Sequence, residues 1–343
     1  MEIVLSVIIP MFKGKKYIKS TVEQVKKIKI NKEIIIVNDG SPDDSYDYCS
    51  KLYDLDDEVI LINKENGGIA SARNVGLENT HGRYVLFIDQ DDCINPISVK
   101  NSIDYMLNSD LDIIFWSTEF RNVKGETSIC DEVYQEGILT REQIVDEVMT
   151  SFIMSRRNKY ISYLGHIWGG IISKRIIENN NLSFRFFIDY EDDYLFVFDC
   201  LLVAHKIGFI KNTGYYWTVN EKSYSHCKRL NCNYIDKSER MYDYINQKIK
   251  NIPISNNNME SILIYEKQRT ILNALRNACL SEGGKDELGS IKKALKSDLY
   301  KESMHKPLEV LEDGRFILVY FLIKYNFFTL AVLIIRAYYF LKR

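Results

Sequence analysis

The chain lacks any imbalance of charge. Its 343 residues carry 45 basic against 47 acidic side chains, a net charge of −2, and without an overall positive field nucleic acid is not an expected partner. It also lacks a C-x-x-C pair among its seven cysteines (49, 93, 130, 200, 227, 232, 279). That pattern excludes a structural zinc site and a disulfide framework, and it points to a reducing, cytosolic compartment. There is no internal repeat and no low-complexity tract. A cleavable leader is not expected, since "MEIVLSVIIP" reaches Pro10 after one short apolar run. Nor is there an unbroken apolar stretch of about 20 residues, the length a spanning helix needs. Lys324 and Asn326 cut the most apolar segment into runs of eight (316–323) and nine (327–335) residues.

What is present is a chain 46% hydrophobic, enough to bury a full core and to make about two domains, or one with an appendage. Short apolar runs, "IVLSVIIP" (3–10), "EIIIVNDG" (33–40), "EVILIN" (58–63) and "RYVLFID" (83–89), read as strands buried on both faces. Between them lie helical periods: Ile18, Val22, Val25 and Ile28, then a stretch from Ile69 to Leu77 opened by Gly67 and Gly68. This rhythm predicts an α/β fold with a mixed, mainly parallel sheet flanked by helices. A helix near 97–107, a strand at 112–117, and a capping pattern Thr140-x-x-Gln143 follow. Residues 160–226 are rich in aromatics, and 234 to about 300 read as helical, broken at Pro253.

In such sheets ligands bind beyond the carboxyl ends of the strands. Three polar clusters fall there: "PMFKG", "NDGSPDD" and "DQDD". The last places Asp89, Asp91 and Asp92 at the end of a buried strand. Paired carboxylates suit a hard divalent cation, held by one or two side chains plus water and phosphate oxygens. An EF-hand is excluded, because Ile94 and Lys100 stand where its Gly and Glu belong. A D-x-D-x-T/V phosphatase fits poorly, because Cys93 replaces the Thr or Val.

Four segments taken in order, "SVIIPMFKGKKYI", "EIIIVNDGSPDDS", "NGGIASARNVGL" and "GRYVLFIDQDD", resemble the signature segments of family 2 glycosyltransferases of GT-A (Rossmann-like) fold. The resemblance is strong over 3–96 and weaker over 160–226, where "WGGIISKRII" and "YEDDYLF" are similar to the acceptor side. Two departures are Lys13, where the family commonly has Asn, and Asn38, where it often has Asp.

The resemblance implies inverting transfer from a nucleotide-sugar donor, with UDP the commonest nucleotide, and a Mn²⁺ or Mg²⁺ cofactor. It places Pro10, Met11, Phe12, Asp39, Asn66, Arg73, Asp89 and Gln90 at the nucleotide, and Asp91 and Asp89 at the metal. Asp192 is the expected catalytic base, with Glu191 and Asp193 as alternatives. Trp168 and His226 are expected at the acceptor.

The expected organisation is a GT-A domain over 1–226 (a nucleotide-binding half, 1–96, and an acceptor-side half, 97–226), a helical C-terminal extension over 227–314, and a basic membrane-associating segment over 315–343. From 315 to the end there are five basic residues and no acidic one. This pattern suits an in-plane anchor on anionic headgroups, and with it a saccharide or lipid-linked saccharide acceptor at the inner face of a bacterial cell membrane. Two other classes stay open: a nucleotidyltransferase, although a G-x-G-x-R loop is missing after the first strand, and a protein that binds nucleotide sugars without turnover.

Overall fold

The computed structural model describes residues 2–121, 126–130, 135–149, 165–185, 192–218, 234–250 and 314–341, with isolated helical and turn residues between 264 and 301. The chain divides into two compact units, Met1–Ser223 and Tyr224–Arg343.

The first unit is built on one mixed sheet. Strands β1 (Leu5–Met11), β2 (Lys32–Asp39), β3 (Val59–Lys64) and β4 (Tyr84–Phe87) alternate with helices α1 (Ile18–Lys26), α2 (Ser45–Tyr53) and α3 (Ile69–Glu78). They pair in parallel, in the spatial order β3-β2-β1-β4. Every residue of β1 and β2 is buried, as continuous apolar runs covered on both faces require. Helix α1 turns Ile18, Val22 and Val25 inward, the face its period predicts.

Beyond β4 come a two-residue strand β5 (Cys93–Ile94), helix α4 (Pro96–Ser109), β6 (Ile113–Arg121), β7 (Thr127–Cys130) and β8 (Gly137–Thr140). Asn95 caps α4, its side chain accepting from the N–H groups of Ile97 and Ser98, with Pro96 at the first helical position. At Thr140 the expected box forms, the backbone N–H donating to Gln143 Oε1 at 3.1 Å. It opens only one helical turn, α5 (Arg141–Gln143), which widens into a π turn over Ile144–Met149.

The remaining elements are β9 (Gly170–Ser173), α6 (Lys174–Asn179), α7 (Asp192–Val203) and β10 (Lys206–Thr218). The sheet continues β4-β9-β6-β10-β5, with β9 antiparallel to both β4 and β6, and β10 parallel to β6. The segment "GIIS" is thus a strand filling the gap between two parallel sets. It had no strand signature, since it offers only Ile171 and Ile172 as an apolar run.

In the second unit the described helices are α8 (Tyr234–Ile249), α9 (Gly314–Lys324) and α10 (Phe328–Leu341). A separate apolar cluster joins Val319, Tyr320, Ile323, Ala331, Val332 and Ile335 to Ile271, Leu272, Leu275 and Ile291. Helical elements are thus present in the C-terminal region, while Pro253 lies outside the described residues. Among the described residues no helix is long and apolar enough to cross a membrane.

One close approach sets where α3 sits. A Cβ added at Gly76 would lie 2.4 Å from Ile8 Cγ2 on β1, so only glycine lets the helix rest on the strand at this depth. Gly76→Val should cost about 1–3 kcal/mol through overpacking, measured by urea unfolding. Unchanged stability would mean that α3 has room to shift.

Candidate active site

The carboxyl ends of β1, β2 and β4 meet the start of α7. At the end of β1, Pro10 and Met11 are buried, and Phe12 just beyond it is exposed, so of the three expected wall residues only the ring of Phe12 faces outward. Phe12 and Gln90 exchange two hydrogen bonds, Phe12 N–H to Gln90 Oε1 (3.1 Å) and Gln90 Nε2 to Phe12 carbonyl (3.0 Å), which fasten the loop after β1 to the loop after β4. Lys13 has φ +54°, a left-handed conformation that asparagine tolerates more readily than lysine. That explains why an asparagine suits this position. Its N–H donates to Ser41 Oγ at 2.9 Å.

Asp39, at the end of β2, is buried and already well supplied with donors. Oδ1 accepts from Gly67 N–H (2.9 Å) and Lys64 Nζ (2.6 Å), and Oδ2 from Gly68 N–H (2.8 Å). Gly68 takes φ +83° as the residue before α3, which turns its N–H toward the carboxylate. Asn66 Nδ2 donates to the Asp39 carbonyl at 2.8 Å. Asp39 thus organises the loop that opens α3. A carboxylate has about four acceptor sites, so contact with a nucleobase N–H would add to this set.

The resemblance puts Arg73 at the nucleotide; the structure buries it (3% exposed) between two carboxylates. Nη1 donates to Asp192 Oδ2 at 2.8 Å and Nη2 to Asp89 Oδ1 at 3.3 Å, and the guanidinium lies 5.4 Å from the centroid of the Phe184 ring. Burial lowers its pKa, but the charges of Asp192, Asp89 and Asp193 outweigh this and raise it above the usual value. It is a buttress between acids. Its neighbour Asn74 exchanges two hydrogen bonds with the backbone of Phe184, at 3.0 and 2.8 Å.

The three aspartates after β4 have three different settings. Asp89 is partly exposed beside Arg73, and Asp91 is half-buried. Asp92 is buried and accepts from Tyr215 hydroxyl (2.7 Å) and Thr218 N–H (3.0 Å). Burial, with the charge of Asp89 adding, pushes the Asp92 carboxyl well above the usual carboxylate range, against the pull of those two donors. Asp92 therefore bolts the acidic loop to β10, where β5 pairs antiparallel with Tyr215 and Tyr216.

At the start of α7, Asp192 and Asp193 point in different directions, as a rotation of about 100° per residue requires. Asp192 is buried against Arg73, and its pKa is raised, burial and the charge of Asp193 outweighing Arg73. Asp193 is less enclosed, its side chain 18% exposed against 6% for Asp192. Its Oδ2 lies 3.1 Å from His166 Nδ1. Burial would raise its pKa, but His166, then Arg73 and the Tyr194 N–H, hold it below the ordinary value. Glu191 and His226 lie outside the described residues.

Trp168, expected at the acceptor, is instead buried (5% exposed) as the middle ring of a stack. His166 lies on it at 4.7 Å and Tyr215 beneath it at 4.8 Å, with interplanar angles of 3° and 11°. The Tyr215 hydroxyl also accepts from Asp89 N–H at 3.2 Å. The chain Asp193–His166–Trp168–Tyr215–Asp92 therefore runs from one acidic group to the other. Sequence reading did not pick out His166 or Tyr215, which lie in an aromatic-rich stretch without spacing that marks them.

Removing one member of a buried pair leaves the other charge uncompensated. Arg73→Met should destabilise by about 3–5 kcal/mol in chemical unfolding, and adding Asp192→Leu should recover much of the loss. A single-variant loss below about 1 kcal/mol would show that the pair does not hold the site together.

Residues 6–159 match the family model "Glycosyl transferase family 2". Along 311 residues the chain is 22% identical to the "uncharacterized glycosyltransferase EpsJ" of Bacillus subtilis, spanning 89% of this chain and 87% of that one. It is 28% identical over 283 residues to the "uncharacterized glycosyltransferase YibD" of Escherichia coli (79% and 77%). Among solved structures, Staphylococcus aureus TarS 1–349 in complex with UDP-GlcNAc superposes with a TM-score of 0.68 at 19% identity, covering 98% of this chain and 91% of that one. The sheet order, the loops gathered at its carboxyl edge and these likenesses agree: residues 6–159 match the family 2 glycosyltransferase pattern, and the fold is that of the GT-A glycosyltransferases.

Proposed function

We propose that this glycosyltransferase is an inverting enzyme that moves a sugar from a nucleoside diphosphate, a UDP-sugar, to a saccharide acceptor. We further infer that the acceptor is lipid-linked and is met at the cytoplasmic face of the membrane during surface polysaccharide assembly. The observation that carries the reading is the convergence on Arg73 of the acidic loop after β4 and the acidic start of α7. A TarS structure holding UDP-GlcNAc supports the choice of donor.

The residues fit a divalent cation. Three carboxylates (Asp89, Asp192 and Asp193) act on one buried guanidinium, and Asp91 follows Asp89 in the same acidic loop, so negative charge is in excess where a diphosphate would dock. Among the described residues no three His, Cys, Asp or Glu are grouped to hold an ion by themselves. Mg²⁺ and Mn²⁺ take one or two carboxylates and complete their shell with water and phosphate oxygens. Asp91 and Asp89 would hold the ion, which when bound neutralises the charge developing on the leaving diphosphate.

The base is assigned to Asp193, one residue beyond the position favoured by the sequence. Asp192 has its carboxylate closed in by Arg73, whereas the Asp193 side chain is less enclosed and is aimed by His166. There it would accept the proton of the acceptor hydroxyl as that oxygen attacks the anomeric carbon from the face opposite the leaving group.

Asp193→Asn should lose about 10² to 10⁴ in turnover and keep its affinity for the donor, while Asp192→Asn should mainly lower stability. A stable Asp192→Asn protein without turnover, beside an active Asp193→Asn, would return the base to Asp192. Because His166 helps hold the Asp193 pKa down, His166→Phe should move the acid limb of the kcat/KM profile to higher pH. An unmoved limb would separate His166 from the base. Asp91→Asn should abolish Mn²⁺-dependent binding of UDP in calorimetry; unchanged binding would exclude Asp91 as a ligand.

A further inference from the structure

Six of the thirteen exposed large apolar side chains among the described residues fall within one short segment: Leu318, Phe321, Tyr325, Phe327, Leu330 and Leu333. Their exposures run from 43% (Phe321) to 63% (Tyr325). The spacing explains why they share a side. Leu318, Phe321 and Tyr325 follow at i, i+3 and i+7 on α9 and its end, and Phe327, just before α10, is followed by Leu330 and Leu333 at i+3 and i+6 on it. The opposite faces, Val319, Tyr320 and Ile323 on α9 and Ala331, Val332 and Ile335 on α10, are the ones buried in the cluster of the second unit. The pair is therefore apolar on both sides, one covered and one bare.

Between the two helices the chain reverses over Tyr325–Phe327, with Asn326 in the left-handed region at φ +66°. Phe321 and Tyr325 stack at the reversal, with ring centroids 6.4 Å apart. The hairpin thus ends in a blunt aromatic tip. An exposed patch of this kind on a soluble fold marks an interaction site.

Charge selects the occupant. From Gly314 to Arg343 no acidic residue occurs, while Arg315, Lys324, Arg336, Lys342 and Arg343 are basic. Of these, Arg336 is exposed and Lys324 partly so. Helices of 11 and 14 residues reach about 16 and 21 Å at 1.5 Å per residue, short of the roughly 30 Å of hydrocarbon in a bilayer. The geometry points to the tip and bare face of the α9–α10 hairpin as a surface that docks in the plane of an anionic bilayer. Phe321, Tyr325, Phe327 and Leu330 enter the headgroup boundary, and the flanking cations meet lipid phosphates. This deepens the membrane part of the proposed function and is independent of the assignments at the sugar-transfer site.

The test uses the full chain with vesicles of phosphatidylcholine alone or mixed with phosphatidylglycerol. The native chain is expected to co-sediment with the anionic vesicles, more weakly as salt rises. Phe321→Glu/Leu330→Glu should lower that partitioning at least about tenfold, with an unchanged thermal transition and unchanged hydrolysis of the nucleotide sugar in solution. Lys324→Glu/Arg336→Glu should lose binding to the anionic vesicles.

If the native chain binds and the Phe321→Glu/Leu330→Glu variant binds equally, the hairpin is not the docking surface, though membrane association stands. Absence of native binding to either vesicle overturns both. If the native chain is an oligomer that the same variant turns into monomers, with no vesicle binding, the face is instead a contact between copies of this chain.

Discussion

Arg73 holds the site by standing between two acids that would otherwise repel each other. Moving a guanidinium out of water costs several kcal/mol, which only well-placed opposite charge offsets. Here Asp192 comes from the start of α7 and Asp89 from the loop after β4, elements more than a hundred residues apart in the chain. The ion pairs therefore fix the spacing of the two acidic groups. Everything that sets the position of Arg73 matters in turn: the bare Gly76 that lets α3 sink onto β1, the Asp39 carboxylate that orders the turn before the helix, and the Asn74 clasp on Phe184.

A second connection works through rings. The stack of His166, Trp168 and Tyr215 ties the carboxylate of Asp193 to that of Asp92. Stacked rings resist tilting because each offers a large area to its neighbour. The aromatic density of residues 160–226 thus has a structural reason at this point: the middle ring is a spacer, and the polar ends of the outer two rings grip the acidic groups.

Much of this fold was legible because its first half obeys simple periods. Continuous apolar runs became the parallel strands β1 to β4, and the i, i+4, i+7 pattern of Ile18, Val22 and Val25 became the inner face of α1. The acidic turn was found from its place at a strand end. Strand β9 was not found, since between Gly170 and Ser173 it offers only Ile171 and Ile172 as an apolar run. The ion pairs of Arg73 were not legible because a sequence records that an arginine is near a ligand loop and not which acid lies across from it 119 residues later. The choice between Asp192 and Asp193 had the same limit: adjacent helical positions differ only in direction, and direction depends on what surrounds them.

The two hydrogen bonds between Phe12 and Gln90 give the loops after β1 and β4 a single conformational coordinate. Ordering either loop orders the other, so the entropy lost on fixing them is incurred once. A ligand that touches Phe12 at one end and the acidic turn at the other would not register these contacts as separate, additive terms. Weakening its fit at the aromatic end would loosen its grip at the acidic end, though no atom of the ligand there had changed.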